Sequence, residues 1–140
     1  MDKLLVDTNI VLDLLSKREE FYKEAQQLFT LADENKVKLY ISSLTLANTH
    51  YLLTRNHKLD EARKILIKFK VLVTVLPMDD KIIELALVSD FKDFEDAIQY
   101  HTALESKLDL IITRNKKDFK TAVLPVLTAK EYLKKTYKKS

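Results

Sequence analysis

The chain has 140 residues, of which 46% are hydrophobic and 32% are charged, and its net charge of +3 is mild, so we expect one globular domain over residues 1–140. It contains no cysteine and no glycine, which excludes disulfides, thiolate metal sites, cysteine nucleophiles and the glycine-rich loops that bind nucleotide phosphates. No apolar run approaches the ~20 residues of a membrane helix and no signal-peptide pattern is present, so we expect a cytoplasmic protein without a membrane partner.

The first half of the chain shows the apolar patterns of short strands and amphipathic helices. In order, it predicts a buried strand at 4–6, a short helix at 10–16, an amphipathic helix at 18–35, a strand at 38–41, and a helix from Ser42 or Ser43 to about Arg55. We expect one face of that last helix to lie against the protein, with Asn48 on it: Leu44, Ala47, Tyr51 and Leu52. We expect the aromatic residues at helical spacing to be core residues rather than a platform for bases: Phe21, Phe29, Tyr51 and Phe69.

The second half continues the alternation. It predicts a helix at 59–69, a strand at 71–76 closed by Pro77, a helix at 81–88 capped by Asp79 or Asp80, a helix from Asp93 to about Ser106, strands at 110–112 and 123–127, and a basic helix that begins with a Thr128/Glu131 capping box. Helices that alternate with four or five short apolar strands are typical of a parallel sheet with helices on both faces. The sequence therefore predicts an α/β fold, a three-layer sandwich with a central parallel sheet.

Two of the predicted strands end in similar polar segments, Asp7-Thr8-Asn9 and Thr113-Arg114-Asn115. In a parallel sheet both segments lie at the carboxyl edge, where open α/β sheets bind ligands. The helix that begins at Asp93 leads directly into the second of these strands, so its first turn lies at the same edge. Topology alone therefore brings four polar residues together: Asp7, Asp96, Asn115 and Asp118.

Clustered carboxylates repel one another unless a cation lies between them, and oxygen ligands with open positions suit Mg²⁺ or Mn²⁺. A metal ion held in this way, with several waters on it, is the arrangement that hydrolyses phosphodiesters. We expect Asp7 to be a metal ligand because it ends a buried strand, where an unpaired carboxylate is costly. Asp96 could instead stabilise the first turn of its helix, and Asp118 could instead be a turn residue. We expect Asp93 to be an N-cap and Glu95 a solvated neighbour.

The segments Asp7-Thr8-Asn9, 93–99 and 111–119 resemble the motifs of the PIN-domain family, in the family's order and over nearly the whole chain. PIN domains are metal-dependent ribonucleases, and many bacterial members are VapC-like toxins of toxin–antitoxin pairs. The resemblance implies a five-stranded parallel sheet, Mg²⁺ or Mn²⁺, an RNA substrate, a homodimer and a possible cognate antitoxin. It makes Asp7, Asp96, Asn115 and Asp118 catalytic, the three aspartates metal ligands, and Thr8 and Asn9 support residues.

One position departs from the family pattern, because Asn48 stands where a glutamate is usual. An amide carries no charge, so we expect weaker metal binding, with Asn48 packing against the site rather than binding the metal. The alternative function is therefore a catalytically weakened PIN-like module that binds RNA or protein, and a DNA-directed nuclease is a third.

Basic residues flank the predicted site and, together with Thr113, are candidate RNA contacts. They are Arg114, Lys116 and Lys117, with five further lysines between Lys130 and Lys139. His50, His57 and His101 show no metal-ligand spacing. We expect Asp13, which interrupts the apolar pattern of the first helix, on the helix surface or just behind the site.

Overall fold

The computed structural model describes residues 1–119 and 123–138, so Lys139 lies outside the described residues. Five strands form one sheet in the order β3-β2-β1-β4-β5, and every pairing between neighbours is parallel. The strands are β1 (Lys3–Val6), β2 (Lys38–Ser42), β3 (Val73–Leu76), β4 (Leu110–Ile112) and β5 (Val126–Leu127). The predicted parallel α/β sheet is confirmed.

Seven helices are described between and after the strands. They are α1 (Thr8–Leu15), α2 (Tyr22–Asp33), α3 (Ser43–Leu53), α4 (Leu59–Phe69), α5 (Asp80–Leu87), α6 (Phe94–Glu105) and α7 (Ala129–Lys138), with 3₁₀ turns at Lys70–Leu72 and Lys116–Phe119. Among the described residues, no helix has the length and apolar character needed to span a membrane.

Several element boundaries differ from the predicted ones; α1, for example, begins at Thr8 rather than at residue 10. α2 begins at Tyr22 rather than at residue 18, because the Arg18 carbonyl closes a turn by accepting from the N–H groups of Phe21 and Tyr22. β3 begins at Val73 rather than at residue 71, because the 3₁₀ turn Lys70–Leu72 extends α4. The last strand is only Val126–Leu127, where 123–127 was predicted.

The central strands β1 and β4 are buried on both faces of the sheet, which explains why they are continuous apolar runs. Leu4 and Val6 of β1 pack in one core cluster with residues of α1, α2, α4 and α7. Leu5, on the opposite face, packs with Tyr100 and Ala103 of α6. The predicted three layers are therefore present.

The face of α3 that lies against the protein is only partly the predicted one. Thr45, Thr49 and Leu53 are buried and Leu44 packs against a core cluster, whereas Ala47 and Tyr51 are exposed. The Thr45 hydroxyl has hydrogen-bond partners on two other helices, which stabilise a buried polar residue there. The prediction was wrong for Ala47 and Tyr51 because apolar spacing does not reveal such partners.

The same correction applies to two of the four predicted core aromatics. Phe29 and Phe69 are buried and pack edge to face with ring centroids 5.4 Å apart, as predicted. Phe21 is 36% exposed and lies under the Arg114 guanidinium instead of inside the core. Tyr51 is not a core residue either.

Three helices end in a Schellman motif without a glycine. The left-handed residues are Lys17 (φ 49°), Asn35 (φ 59°) and Lys107 (φ 55°). After α6, for example, the Leu108 N–H donates to the Ala103 carbonyl at 3.0 Å and the Lys107 N–H to the Leu104 carbonyl at 3.1 Å. For a residue with a Cβ, this conformation costs about 1–2 kcal/mol.

Candidate functional site

A cavity of about 410 Å³ opens at the carboxyl edge of the sheet, and its lining is rich in acids and amides. The lining residues are Asp7, Thr8, Asn9, Leu12, Asn48, Tyr51, Leu52, Asp93, Glu95, Asp96, Gln99, Asn115 and Asp118. All four residues that the sequence suggested as catalytic lie around this cavity, with Thr8, Asn9 and Asn48. Thr113, Arg114, Lys116 and Lys117 are not part of its lining.

Asp7 is held at the end of β1 by both of its carboxylate oxygens. Oδ1 accepts the Thr8 N–H at 2.8 Å and so caps α1, while Oδ2 accepts the Thr113 hydroxyl at 2.8 Å. The side chain is buried, and burial raises the pKa of Asp7, although the hydrogen bonds from Thr113 and Thr8 act in the opposite direction. The Asp7 carboxyl group is therefore fixed in position, and its raised pKa means that it ionises less readily than an exposed aspartate.

Asp96 lies in the first turn of α6. Its backbone N–H donates to Asp93 Oδ1 at 3.0 Å, which confirms the predicted N-cap role of Asp93. Burial, and then the negative charges of Asp93, Asp7, Asp118 and Glu95, raise the pKa of Asp96 to about 7. The carboxylates at this edge therefore repel one another, and the excess negative charge would be relieved by a cation.

Thr113 also fixes the second polar segment. The Asn115 N–H donates to the Thr113 hydroxyl oxygen at 3.2 Å, and the Asp118 N–H donates to the Asn115 carbonyl at 3.0 Å. The 3₁₀ turn Lys116–Phe119 thus carries Asp118 back to the cavity. One threonine couples Asp7 to the positions of Asn115 and Asp118.

Beneath the cavity, a buried polar network joins three helices and was missed in the sequence. Gln99 Nε2 of α6 donates to the Thr45 hydroxyl oxygen of α3 at 2.6 Å, and that hydroxyl shares a 2.9 Å hydrogen bond with the Thr8 hydroxyl of α1. Gln99 and Thr45 are 2% and 0% exposed, so these bonds are shielded from water. A glutamine among the apolar positions of 97–103 was the signal that could have found it.

Asn48 faces the carboxylate of Glu95, which the sequence predicts to be a solvated neighbour of the site. Its side-chain Nδ2 donates to Glu95 Oε1 at 3.5 Å, and both residues line the cavity. Glu95 is exposed, as predicted, but it also places a negative charge next to the position where the family usually has a glutamate. The departure at residue 48 therefore does not leave this side of the cavity without an acid.

Asp13 is 1% exposed and is not part of the cavity lining; it lines a separate depression with Phe21 and Arg114. Its carboxylate pairs with Arg114 Nε at 3.2 Å and, more distantly, with Arg18 Nη1 at 3.6 Å. Burial raises the pKa of Asp13, and the two arginines counteract that effect. The Arg114 guanidinium also lies 4.1 Å above the Phe21 ring centroid, so it links Asp13 to α2.

The two neighbouring lysines have different surroundings. Lys116 Nζ pairs with both oxygens of Glu131 at 3.0 and 3.1 Å, at the start of α7. Lys117 lines a second depression of about 330 Å³, which shares Asp93, Asp96 and Asp118 with the main cavity. Among these candidate RNA contacts, Lys117 is the one that adjoins the acids.

The donors around the cavity fit a hard divalent cation, since they are carboxylate, amide and hydroxyl oxygens. Among the residues that the structure describes, no three Asp, Glu, His or Cys side chains are already close enough to hold a metal ion. Binding would therefore draw the acids together, and the raised pKa values of Asp7 and Asp96 indicate that neutralising their charge is favourable.

Comparisons with known proteins show the family to which the chain belongs. A family model of the PIN domain matches residues 3–117. The chain is 30% identical over 139 residues to Ribonuclease VapC1 of Aquifex aeolicus (strain VF5), covering 94% of this chain and 93% of that protein. Divalent-metal dependence is general among PIN ribonucleases.

Solved structures show the same fold. A toxin–antitoxin complex from Klebsiella pneumoniae is 30% identical with a TM-score of 0.67, covering 90% of this chain and 97% of that one. DNA-bound VapBC from Salmonella typhimurium is 18% identical with a TM-score of 0.69, covering 92% and 99%, and at that identity shows the fold alone. From the matched family model and the VapC1 relative, we conclude that the chain belongs to the PIN-domain family.

Proposed function

We propose that the chain is a metal-dependent endoribonuclease that hydrolyses RNA phosphodiester bonds and is the toxin of a toxin–antitoxin pair. The observation that carries the proposal is that Asp7, Asp96 and Asp118 line one cavity at the carboxyl edge of a PIN fold. The ribonuclease relative and the Klebsiella toxin–antitoxin complex support the activity and the antitoxin partner.

In this proposal Asp7, Asp96 and Asp118 hold Mg²⁺ or Mn²⁺, and Asn115 completes the site. The bound ion supplies Lewis acidity and an activated water for phosphodiester hydrolysis. The chain's own contribution is to fix these oxygens. Thr8 and Thr113 orient Asp7, and the Asp93 cap sets the first turn of α6, which carries Asp96.

Glu95 belongs in this site as the acid that faces Asn48. A carboxylate on α6 would replace part of the charge that the family usually places on α3. Lys117 and Lys92, which line the adjoining depression, are positioned to contact RNA phosphates. Arg114 and Lys116 serve mainly to hold the loop, through Asp13 and Glu131 respectively.

The test is cleavage of a labelled RNA by the purified chain with Mg²⁺, with Mn²⁺ and with EDTA. We expect cleavage only with metal, and its loss in Asp7→Asn and in Asp96→Asn. Asp33→Asn is the control, because Asp33 is exposed in the last turn of α2 and is not in the cavity lining. Unchanged cleavage by Asp7→Asn would show that the site is wrong.

A second candidate function is an RNA- or protein-binding module without catalysis, and Asn48 favours it. Calorimetric titration with Mn²⁺ separates the two functions. Absence of binding at millimolar metal, together with absence of cleavage, would exclude the nuclease and favour the module. We further propose that the chain forms a homodimer, which analytical ultracentrifugation tests. We also propose that it is located in the cytoplasm, which cell fractionation tests.

A further inference from the structure

Tyr51 is an aromatic residue on the rim of the acidic cavity rather than in the core. It lines that cavity from α3, and its side chain is 64% exposed. The tyrosines of the core, Tyr100 and Tyr132, are 7% and 2% exposed. An exposed ring forgoes most of the stabilisation that burial gives an aromatic side chain. The fold therefore gains little from having an aromatic residue at this position.

A cation accompanies the ring. The guanidinium carbon of Arg55, four residues further along the chain, lies 5.4 Å from the Tyr51 ring centroid. This cation–π contact orients the ring and places a positive charge beside it, whereas the charged residues that line the cavity itself are all acids. An aromatic face beside an arginine is the combination that binds a base and its phosphate in single-stranded nucleic acid.

The ring is also close to the proposed reaction site along α3. Tyr51 follows Asn48 by three residues, a rise of about 4.5 Å, and Asn48 contacts Glu95 across the cavity. The depression lined by Lys92 and Lys117 shares Asp93, Asp96 and Asp118 with this cavity, and Tyr51 is not part of its lining. An RNA strand whose phosphate lies at these shared acids would then adjoin the lysines in one depression and the ring in the other.

We infer that Tyr51 and Arg55 form a base-stacking subsite of the RNA, in which a nucleotide next to the scissile phosphate stacks on the Tyr51 ring. The inference rests on the proposed function, because it assigns one end of the same RNA path. Stacking tolerates every base, so the subsite positions unpaired RNA and contributes little to sequence preference.

The chain has no tryptophan, which gives a direct test. Tyr51→Trp introduces a single tryptophan whose fluorescence reports stacking. Val71→Trp is the matched control, because Val71 is 85% exposed and precedes β3, at the amino edge of the sheet. We expect a single-stranded RNA oligonucleotide in EDTA, where no cleavage occurs, to quench Tyr51→Trp and to leave Val71→Trp unchanged.

Affinity gives a second measurement. In the same buffer, Tyr51→Ala should weaken RNA binding by about 5- to 150-fold, because base–aromatic stacking contributes about 1–3 kcal/mol. Tyr51→Phe, which keeps the ring, should restore binding relative to Tyr51→Ala. Thermal unfolding of each variant reports whether the exposed substitution affects folding.

The inference fails on its own if wild type binds and cleaves RNA while Tyr51→Ala binds it equally well. A change of oligomeric state in Tyr51→Ala with unaltered RNA affinity would also overturn it, and would assign the ring to a protein contact. Equal quenching in Val71→Trp would show non-specific binding. If wild type neither binds nor cleaves RNA, the inference and the proposed function fail together.

Discussion

The Thr113 hydroxyl donates a 2.8 Å hydrogen bond to Oδ2 of Asp7, which joins the ends of β1 and β4 across a separation of 106 residues. The same hydroxyl oxygen accepts the Asn115 N–H at 3.2 Å. The two polar segments at the carboxyl edge are therefore held in register by one side chain. Removing it should disturb both at once.

Thr113→Val keeps the shape of residue 113 and removes its hydroxyl. We expect a loss of about 1–3 kcal/mol in the free energy of unfolding, because a buried Asp7 oxygen loses its donor. RNA cleavage should fall as well, since Asp7 loses its orientation. Denaturant unfolding and cleavage rates measure these effects. Thr113→Ser, which keeps the hydroxyl, should behave like wild type. Wild-type stability and cleavage in Thr113→Val would refute the coupling.

The stability of the metal-free protein should fall as pH rises. The pKa of Asp96 is raised from 3.8 to about 7, by burial and by Asp93, Asp7, Asp118 and Glu95, so the protonated form stabilises the fold. This contribution is complete below about pH 4 and is lost as pH rises through about 7. In EDTA, the Tm should drop between about pH 4 and about pH 7, and less so in Asp96→Asn. Identical pH profiles for the two proteins would contradict this expectation.

Exchanging residues 48 and 95 tests whether Glu95 replaces the family's usual glutamate. Glu95→Gln should weaken Mn²⁺ binding about 10-fold, and Asn48→Glu in that background should restore it. Asn48→Glu alone should place two carboxylates next to each other, since Asn48 Nδ2 and Glu95 Oε1 are 3.5 Å apart in the wild type. Calorimetric titration gives the affinities, with Glu84→Gln on the exposed side of α5 as the control. Full Mn²⁺ affinity in Glu95→Gln would exclude the replacement.

Comparing Asp13→Ala with Arg18→Ala should show whether Arg114 is the main partner of Asp13. Arg114 would lose its 3.2 Å partner, and because its side chain is 24% exposed we expect a moderate loss of about 1–3 kcal/mol. Arg18→Ala should lose less than about 1 kcal/mol, because Arg18 is 40% exposed and lies 3.6 Å from Asp13. Denaturant unfolding distinguishes the two, and equal losses would mean that Arg114 is not the main partner.

Lys107→Gly should stabilise the protein by about 1 kcal/mol, because glycine adopts the left-handed conformation without a Cβ clash. The matched control is Lys64→Gly, an exposed lysine in the interior of α4, which should destabilise by about 1 kcal/mol. Thermal unfolding measures both changes. Destabilisation by Lys107→Gly would show that the turn depends on the lysine side chain.

Much of the fold was predictable because the central strands of the sheet are buried on both faces. β1 and β4 are uninterrupted apolar runs, and each is followed by a polar segment that had to lie at the carboxyl edge. The parallel direction of the strands and the return of α6 then placed Asp96 near Asp7. These inferences needed only periodicity and chain direction.

The contacts between distant segments were not predictable from one sequence. Thr45 is buried because Thr8 and Gln99 meet its hydroxyl, and nothing within α3 indicates those partners. Arg114 pairs with Asp13 of α1, a residue about 100 positions away that nothing in the segment around Arg114 indicates. In both cases a polar side chain is explained by a group far away along the chain, which hydrophobic spacing does not report.

The carboxylates around the cavity have a thermodynamic consequence for the proposed reaction. This excess of negative charge weakens the binding of RNA while no cation is bound, and bound RNA in turn raises the affinity for the cation. The two ligands are therefore linked, and each raises the affinity for the other by the same factor. The free magnesium or manganese concentration would then set the apparent affinity for RNA.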